Sequence, residues 1–205
     1  MSYIDINDRE GSVERVSAEA VVRQWVEQET EEEYDDLESR SIEELVALLE
    51  DPQRLAASIF FEEDLEWYRI ELTEEELRDV LVVKGPDGEG WRAVADGNDI
   101  ESIARRIADA DDIESLNEDV PKDVAYVRET AAEHESDEKR GSFIVVQESA
   151  DEPGYLADGN HRAVAVIYHV LTGGEYDGQP AYVGLPPGTD SAPLGDGEDV
   201  DHPDI

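Results

Sequence analysis

The chain has no cysteine, a single methionine and three phenylalanines. Without cysteine there is no disulfide, no thiolate zinc site and no cysteine nucleophile. Lysine is nearly absent as well: Lys84, Lys122 and Lys139 are the only three, and Lys and Arg together number 16 against 55 Asp and Glu. No basic stripe is present, and phosphate neutralisation by such stripes carries non-specific DNA binding, so generic duplex DNA is an unpromising partner. No apolar run approaches membrane-spanning length, and the opening MSYIDINDRE lacks a basic region followed by an apolar one. Neither a membrane span nor a secretory signal is expected, and the expected location is the cytoplasm.

What the chain has in excess is negative charge, -39 formally over 205 residues. A small domain ordinarily stays within a few charges of neutral. At this density the carboxylates repel one another at low ionic strength, and at about 1 M salt, where the Debye length is roughly 3 Å, the repulsion is largely screened. The acidity is spread along the sequence, which reads as adaptation to a salty cytoplasm. Disorder over the whole length conflicts with the clear apolar periodicity; mimicry of a nucleic acid is an alternative reading of the same charge.

The apolar pattern predicts an α+β fold, a small mixed sheet with packed helices. Residues 1–60 read as a helical, acidic N-terminal extension. Ser17 caps a helix carrying Val21, Val22, Trp25 and Val26, and Ser41 with Glu44 forms a capping box ahead of Ile42, Leu45, Val46, Leu48 and Leu49. Residues 65–187 read as the main domain. Trp67–Leu72 alternates as a half-buried strand does, and Thr73 with Glu76 is a second capping box. The segments 81–83 and 91–94, flanking a Gly- and Pro-rich stretch, suggest a hairpin. Asp99 precedes a helix with Ile100, Ile103, Ala104 and Ile107 on one side. Residues 109–122 read as loop, 124–132 as either strand or helix, and 133–140 as a polar loop. Phe143–Val146 and Tyr155–Ala157 are strands, 161–171 a buried helix ended by Gly173-Gly174, and 181–185 a last strand. The acidic 188–205 stretch has almost no packing residues and is expected to be disordered; its Asp-rich run lacks the spacing of an EF-hand loop.

One stretch points to chemistry: Asp158-Gly159-Asn160-His161-Arg162-Ala163. Read as strand, tight turn and helix, it gathers unpaired backbone N–H groups, a histidine and an arginine about one point, with Asn160 as the helix cap. Gly159 allows a tight turn and close approach of a ligand. Arg162 can clamp a phosphate or carboxylate with two donors, and His161 can donate a hydrogen bond or shuttle a proton. Asp158 orients His161, holds a metal beside bound phosphates, or only fixes the loop. His169, eight residues on, reads as a packed core or interface histidine. Lys139 and Arg140 are placed to close over an anion, Glu148 and Asp151 are loose candidates for a general base, and Tyr155, able to stack on a base, reads as a core strand residue.

The run Tyr155–Ala165, followed by a helix, glycines and the Ala181–Gly184 strand, resembles the ParB/sulfiredoxin superfamily, whose domains carry a glycine, a two-residue insert ending in His or Arg, an arginine and a small residue at matching positions. Trp67–Leu81 and the helix at 100–107 fall where that family has its opening strand, a short helix and a further helix, so the likeness spans roughly residues 65–187. Members bind and hydrolyse CTP, use ATP to repair over-oxidised peroxiredoxins, or act as nucleases or free-serine kinases. The resemblance implies a nucleotide with Mg²⁺, Gly159, Asn160, His161 and Arg162 on the phosphates, and NTP hydrolysis or phosphoryl transfer. Sulfiredoxin chemistry needs a cysteine where Asn160 stands and is excluded. ParB domains continue into a helical DNA-binding region where this chain has an acidic tail, which argues against partitioning function. The alternatives are a nuclease, and a degenerate, non-catalytic domain that binds a protein partner through its acidic N-terminal helices.

Overall fold

Helix starts are set by local chemistry. In the computed structural model, which describes residues 4–6, 9, 11–30, 34, 36–49, 52–133, 141–149 and 152–188, Ser17 opens helix α1 (Ala18–Glu29) by accepting from the Ala20 N–H. Ser41 and Glu44 close a capping box on α2 (Ile42–Val46). After α3 (Gln53–Phe61), Thr73 and Glu76 do the same for α4 (Glu74–Asp79). Asp99 caps α5 (Ile100–Ala108) through the Ser102 N–H. Each box satisfies two N–H groups that a helix start leaves unpaired.

Three further helices follow: α6 (Ile113–Asp119), α7 (Val124–Glu133) and α8 (Asn160–Leu171). Five strands, β1 (Glu14–Val16), β2 (Glu66–Leu72), β3 (Phe143–Val146), β4 (Tyr155–Asp158) and β5 (Gln179–Leu185), form one open sheet in the order β1-β2-β5-β3-β4. All neighbours are antiparallel except β3 and β5, which run parallel. The result is the expected mixed α+β architecture.

Both faces of the sheet are covered. Tyr68, Ile70 and Leu72 of β2, with Phe143 and Val145 of β3, pack under α4 to α8. Trp67, Ile144, Val146, Tyr155 and Ala157 face the other way and pack under α1 to α3. At the centre of the first layer α8 buries five successive residues, Ala163 to Ile167. Its β-branched side chains each cost a few tenths of a kcal/mol in helix propensity. Burial of each contributes about 1.5–3 kcal/mol, so packing decides and the segment is a helix.

Four local expectations need correction. Glu14–Val16, inside the stretch read as helical, is a strand, drawn into extended form by pairing with Trp67–Arg69. The segments around 81–94 do not form a hairpin: Leu81 bridges to Asp99 and Tyr155, and Gly90–Ala93 is a 3-10 turn that buries Trp91. The acidic stretch after Ala108 contains α6, held by Leu116 and by an Asp112 cap. Residues 124–132, left open, are helical. Residues 134–140, with Lys139 and Arg140, lie outside the described residues, as do Asp151 and residues 189–205.

Candidate functional site

The β3–β4 ladder reaches the Ile144–Asp158 pair and stops there. Gly159 then turns the chain with φ 92° and ψ 16°, a left-handed conformation, and is itself the residue flanking the start of α8. A side chain would be strained there, and a Cβ would come within 2.5 Å of the Phe143 ring. The first intrahelical bond runs from the Ala163 N–H to the Gly159 carbonyl, and no side chain caps the turn before it. Asn160 is therefore not the cap, as the sequence suggested. Its Oδ1 accepts from the Val83 N–H at 2.9 Å, tying the loop after α4 to the helix start.

Asp158 and Arg162 face each other. Arg162 Nη2 donates to Asp158 Oδ2 at 3.0 Å, and the guanidinium lies 5.5 Å from the centre of the Phe143 ring. Asp158 thus orients Arg162, in a place where a carboxylate also interacts favourably with the helix start. His161 points away from this pair and packs edge-on against Trp91 at 4.6 Å and Tyr126 at 5.9 Å between ring centres. Burial holds its pKa below the ordinary histidine value. The Lys122 ammonium pushes in the same direction and the Asp123 carboxylate opposes it.

These residues share a cavity of about 880 Å³ at the end of the sheet where the two helical layers meet. Asp158 to Arg162 form one wall, Trp91, Lys122 and Tyr126 a second, and Trp25, Gln28, Glu29 and Leu55 from the N-terminal layer a third. Asp123 accepts from the Tyr126 N–H, and Asn117 accepts from the N–H groups of Val124 and Ala125, so the start of α7 is fixed and Lys122 is carried just ahead of it. Lys122 lies 5.9 Å from the centre of the Trp91 ring and pairs with no carboxylate among the described residues. Three groups that are or can become cationic, Lys122, His161 and Arg162, therefore line one cavity in a strongly acidic chain.

Other sequence candidates fall elsewhere. Glu148 pairs with Lys84 at the surface and is absent from the cavity wall. The Lys84 ammonium sits 4.6 Å from the centre of the buried Tyr155 ring, whose hydroxyl pKa is raised by burial and by Glu63 and Glu148. His169 packs over Gly174 at the far end of α8. Among the described residues no group of three or more His, Asp and Glu side chains is placed to hold a metal ion, and the cavity wall carries two carboxylates, Asp158 and Glu29. Trp25, Gln28, Trp91, Lys122 and Tyr126 escaped the sequence reading; the scarcity of lysine and tryptophan was the only signal that pointed to any of them. Among the described residues no helix is long and apolar enough to cross a membrane. Comparisons with protein-family models, curated proteins and solved structures find no match.

Proposed function

We propose that the cavity at the start of α8 binds a phosphate-containing ligand, a nucleotide in the first instance, on a domain of ParB/sulfiredoxin type. The observation that carries this reading is the gathering of Lys122, His161 and Arg162 on one cavity beside the uncapped first turn of α8. Backbone N–H groups at a helix start and the helix dipole both favour an anion. Arg162 offers a planar fork and Lys122 a point charge, and both suit phosphate oxygens. Tyr126, half exposed on the same cavity, offers a ring against which a base can lie.

Asp158 gives the proposal its sign. Asp158 is already held by Arg162, and with Glu29 it makes only two carboxylates on the cavity, so Mg²⁺ would come with the phosphates rather than wait on the protein. In that reading Asp158 opposes a bare phosphate and helps one that carries magnesium. Phosphoanhydride hydrolysis or phosphoryl transfer, where it occurs, would rest on charge stabilisation by Lys122 and Arg162.

The test is titration with ATP, CTP and GTP in 2–3 M KCl, with and without Mg²⁺. Arg162→Ala should bind about 10- to 100-fold more weakly, as expected when a charge-assisted hydrogen bond is lost. Asp158→Asn should bind better than wild type without Mg²⁺ and no better with it. No binding by wild type, or equal binding by wild type and Arg162→Ala, rejects the site and leaves the protein-interaction reading in its place.

A further inference from the structure

Two residues of the N-terminal helical layer that line the cavity carry buried polar atoms that nothing among the described residues satisfies. Gln28 of α1 lines the cavity, and both Nε2 and Oε1 of its amide are shielded from solvent without a hydrogen-bond partner among the described residues. Trp25, three residues earlier on the same helix and 1% exposed, lines it too, and its indole N–H is likewise unpartnered. Buried polar groups are almost always bonded, so two such side chains on one cavity mark a place where a partner belongs.

The Gly141 backbone packs against the Gln28 amide and against Arg162. A Cβ at this position would lie 2.3 Å from Gln28 Oε1 and 2.3 Å from Arg162 Nη1. The amide and the guanidinium therefore stand side by side behind a backbone that leaves room for both. Arg162 is held through Nη2 by Asp158, which leaves the Nη1 side turned towards Gln28. A glutamine amide is one acceptor and two donors, and an indole N–H is a donor only. The ionised oxygens of a phosphate only accept, so they would leave Gln28 Oε1 unsatisfied. A group that both donates and accepts, such as a sugar hydroxyl, would satisfy it.

Building on the phosphate reading of this cavity, we propose that Gln28 is a specificity-determining residue that hydrogen-bonds the hydroxyl-bearing part of the ligand next to the phosphate gripped by Arg162. The substrate class is then a nucleotide or sugar phosphate rather than an inorganic phosphate. Helix α1 becomes part of the binding site as well as a cover for the sheet.

The experiment compares wild type and Gln28→Leu, a substitution of similar volume without polar atoms, for binding of ribonucleoside triphosphates, their 2′,3′-dideoxy counterparts and inorganic triphosphate in 2–3 M KCl. Wild type should prefer the ribonucleotide over the dideoxy form by about tenfold, and Gln28→Leu should lose that preference while binding inorganic triphosphate unchanged. The thermal midpoint of the unliganded Gln28→Leu protein should also rise, because the substitution removes buried unpaired polar atoms. A merely structural glutamine would show the opposite change in midpoint. Retention of the hydroxyl preference by Gln28→Leu, or equal loss of binding for all three probes, overturns the role of Gln28 and leaves the phosphate reading standing. Failure of wild type to bind any of the three overturns both.

Discussion

Gly159→Ala isolates what the turn at the start of α8 demands. Two effects act at this position. At φ 92° an L-residue costs about 1–2 kcal/mol relative to glycine. The added methyl would also meet Phe143 Cδ1 at 2.5 Å, and Phe143 is fully buried in the core, so overpacking adds about 1–3 kcal/mol. The sum is about 2–5 kcal/mol. For a domain of this size the urea m-value is about 2 kcal/mol per molar, so the midpoint should fall by roughly 1–2.5 M. Two other glycines separate the contributions. Gly88 has φ 75° and open space around it, so Gly88→Ala should lose the conformational part alone, about 1–2 kcal/mol. Gly85 carries neither constraint, and Gly85→Ala should stay within about 0.5 kcal/mol of wild type. The three variants are unfolded in urea at constant 2 M KCl with fluorescence and circular dichroism recorded together. If Gly159→Ala loses no more than Gly88→Ala, the contact with Phe143 is not as described and the close packing of strand, turn and helix at the site falls with it.

Four further outcomes rest on the charges and bonds described above. Screening should raise the thermal midpoint as KCl goes from 0.1 to 3 M, because 55 carboxylates against 16 basic groups oppose compaction at low salt; a flat or falling midpoint by circular dichroism refutes salt adaptation. His161 has its pKa lowered in the fold, so the unfolded chain binds its proton first. Wild type should then lose stability as pH drops below the unfolded histidine value of about 6.5; His161→Gln should lose less over that window, and identical urea midpoints at pH 7.5 and 5.5 in the two proteins refute the shift. Asn160→Ala should cost about 1–2 kcal/mol by leaving the Val83 N–H unpaired, measured by the same urea titration, and no loss would mean that the tie is not formed. Generic duplex DNA should not bind in 1–3 M KCl, and metal-dependent cleavage of labelled DNA that disappears in Arg162→Ala would instead favour the nuclease.

The parts of this architecture legible in the sequence are those decided within one or two helical turns. Ser17, Ser41 with Glu44, Thr73 with Glu76, and Asp99 each cap the helix expected of them, because the capping bond joins residues two or three apart. The α8 helix was readable from its long apolar run and its glycine stop. Strand β1 was not: three residues carry no alternation, and only a partner about fifty residues away makes them extended. Trp91 and Val94 read as strand residues in the sequence, yet both are buried by the 3-10 turn, where a spacing of three places them together. The motif at 158–162 was visible, but its internal wiring was not. Asp158 serves Arg162 rather than His161, and Asn160 bonds across to Val83, because each partner is chosen by tertiary packing. Trp25, Gln28, Lys122 and Tyr126 reach the cavity from α1 and from around the start of α7, and no local pattern announces such convergence.

The position of β5 has a consequence for how the protein is made. It lies in the middle of the sheet, between β2 and β3, yet it is the last strand among the described residues. Until Leu185 has left the ribosome, β1-β2 and β3-β4 lack the strand that joins them and leave open edges. Each is a candidate for pairing with a neighbouring nascent chain. The acidic charge borne by the waiting halves opposes that pairing at low ionic strength, whereas at about 1 M salt, where repulsion is largely screened, the unfinished sheet has no such protection.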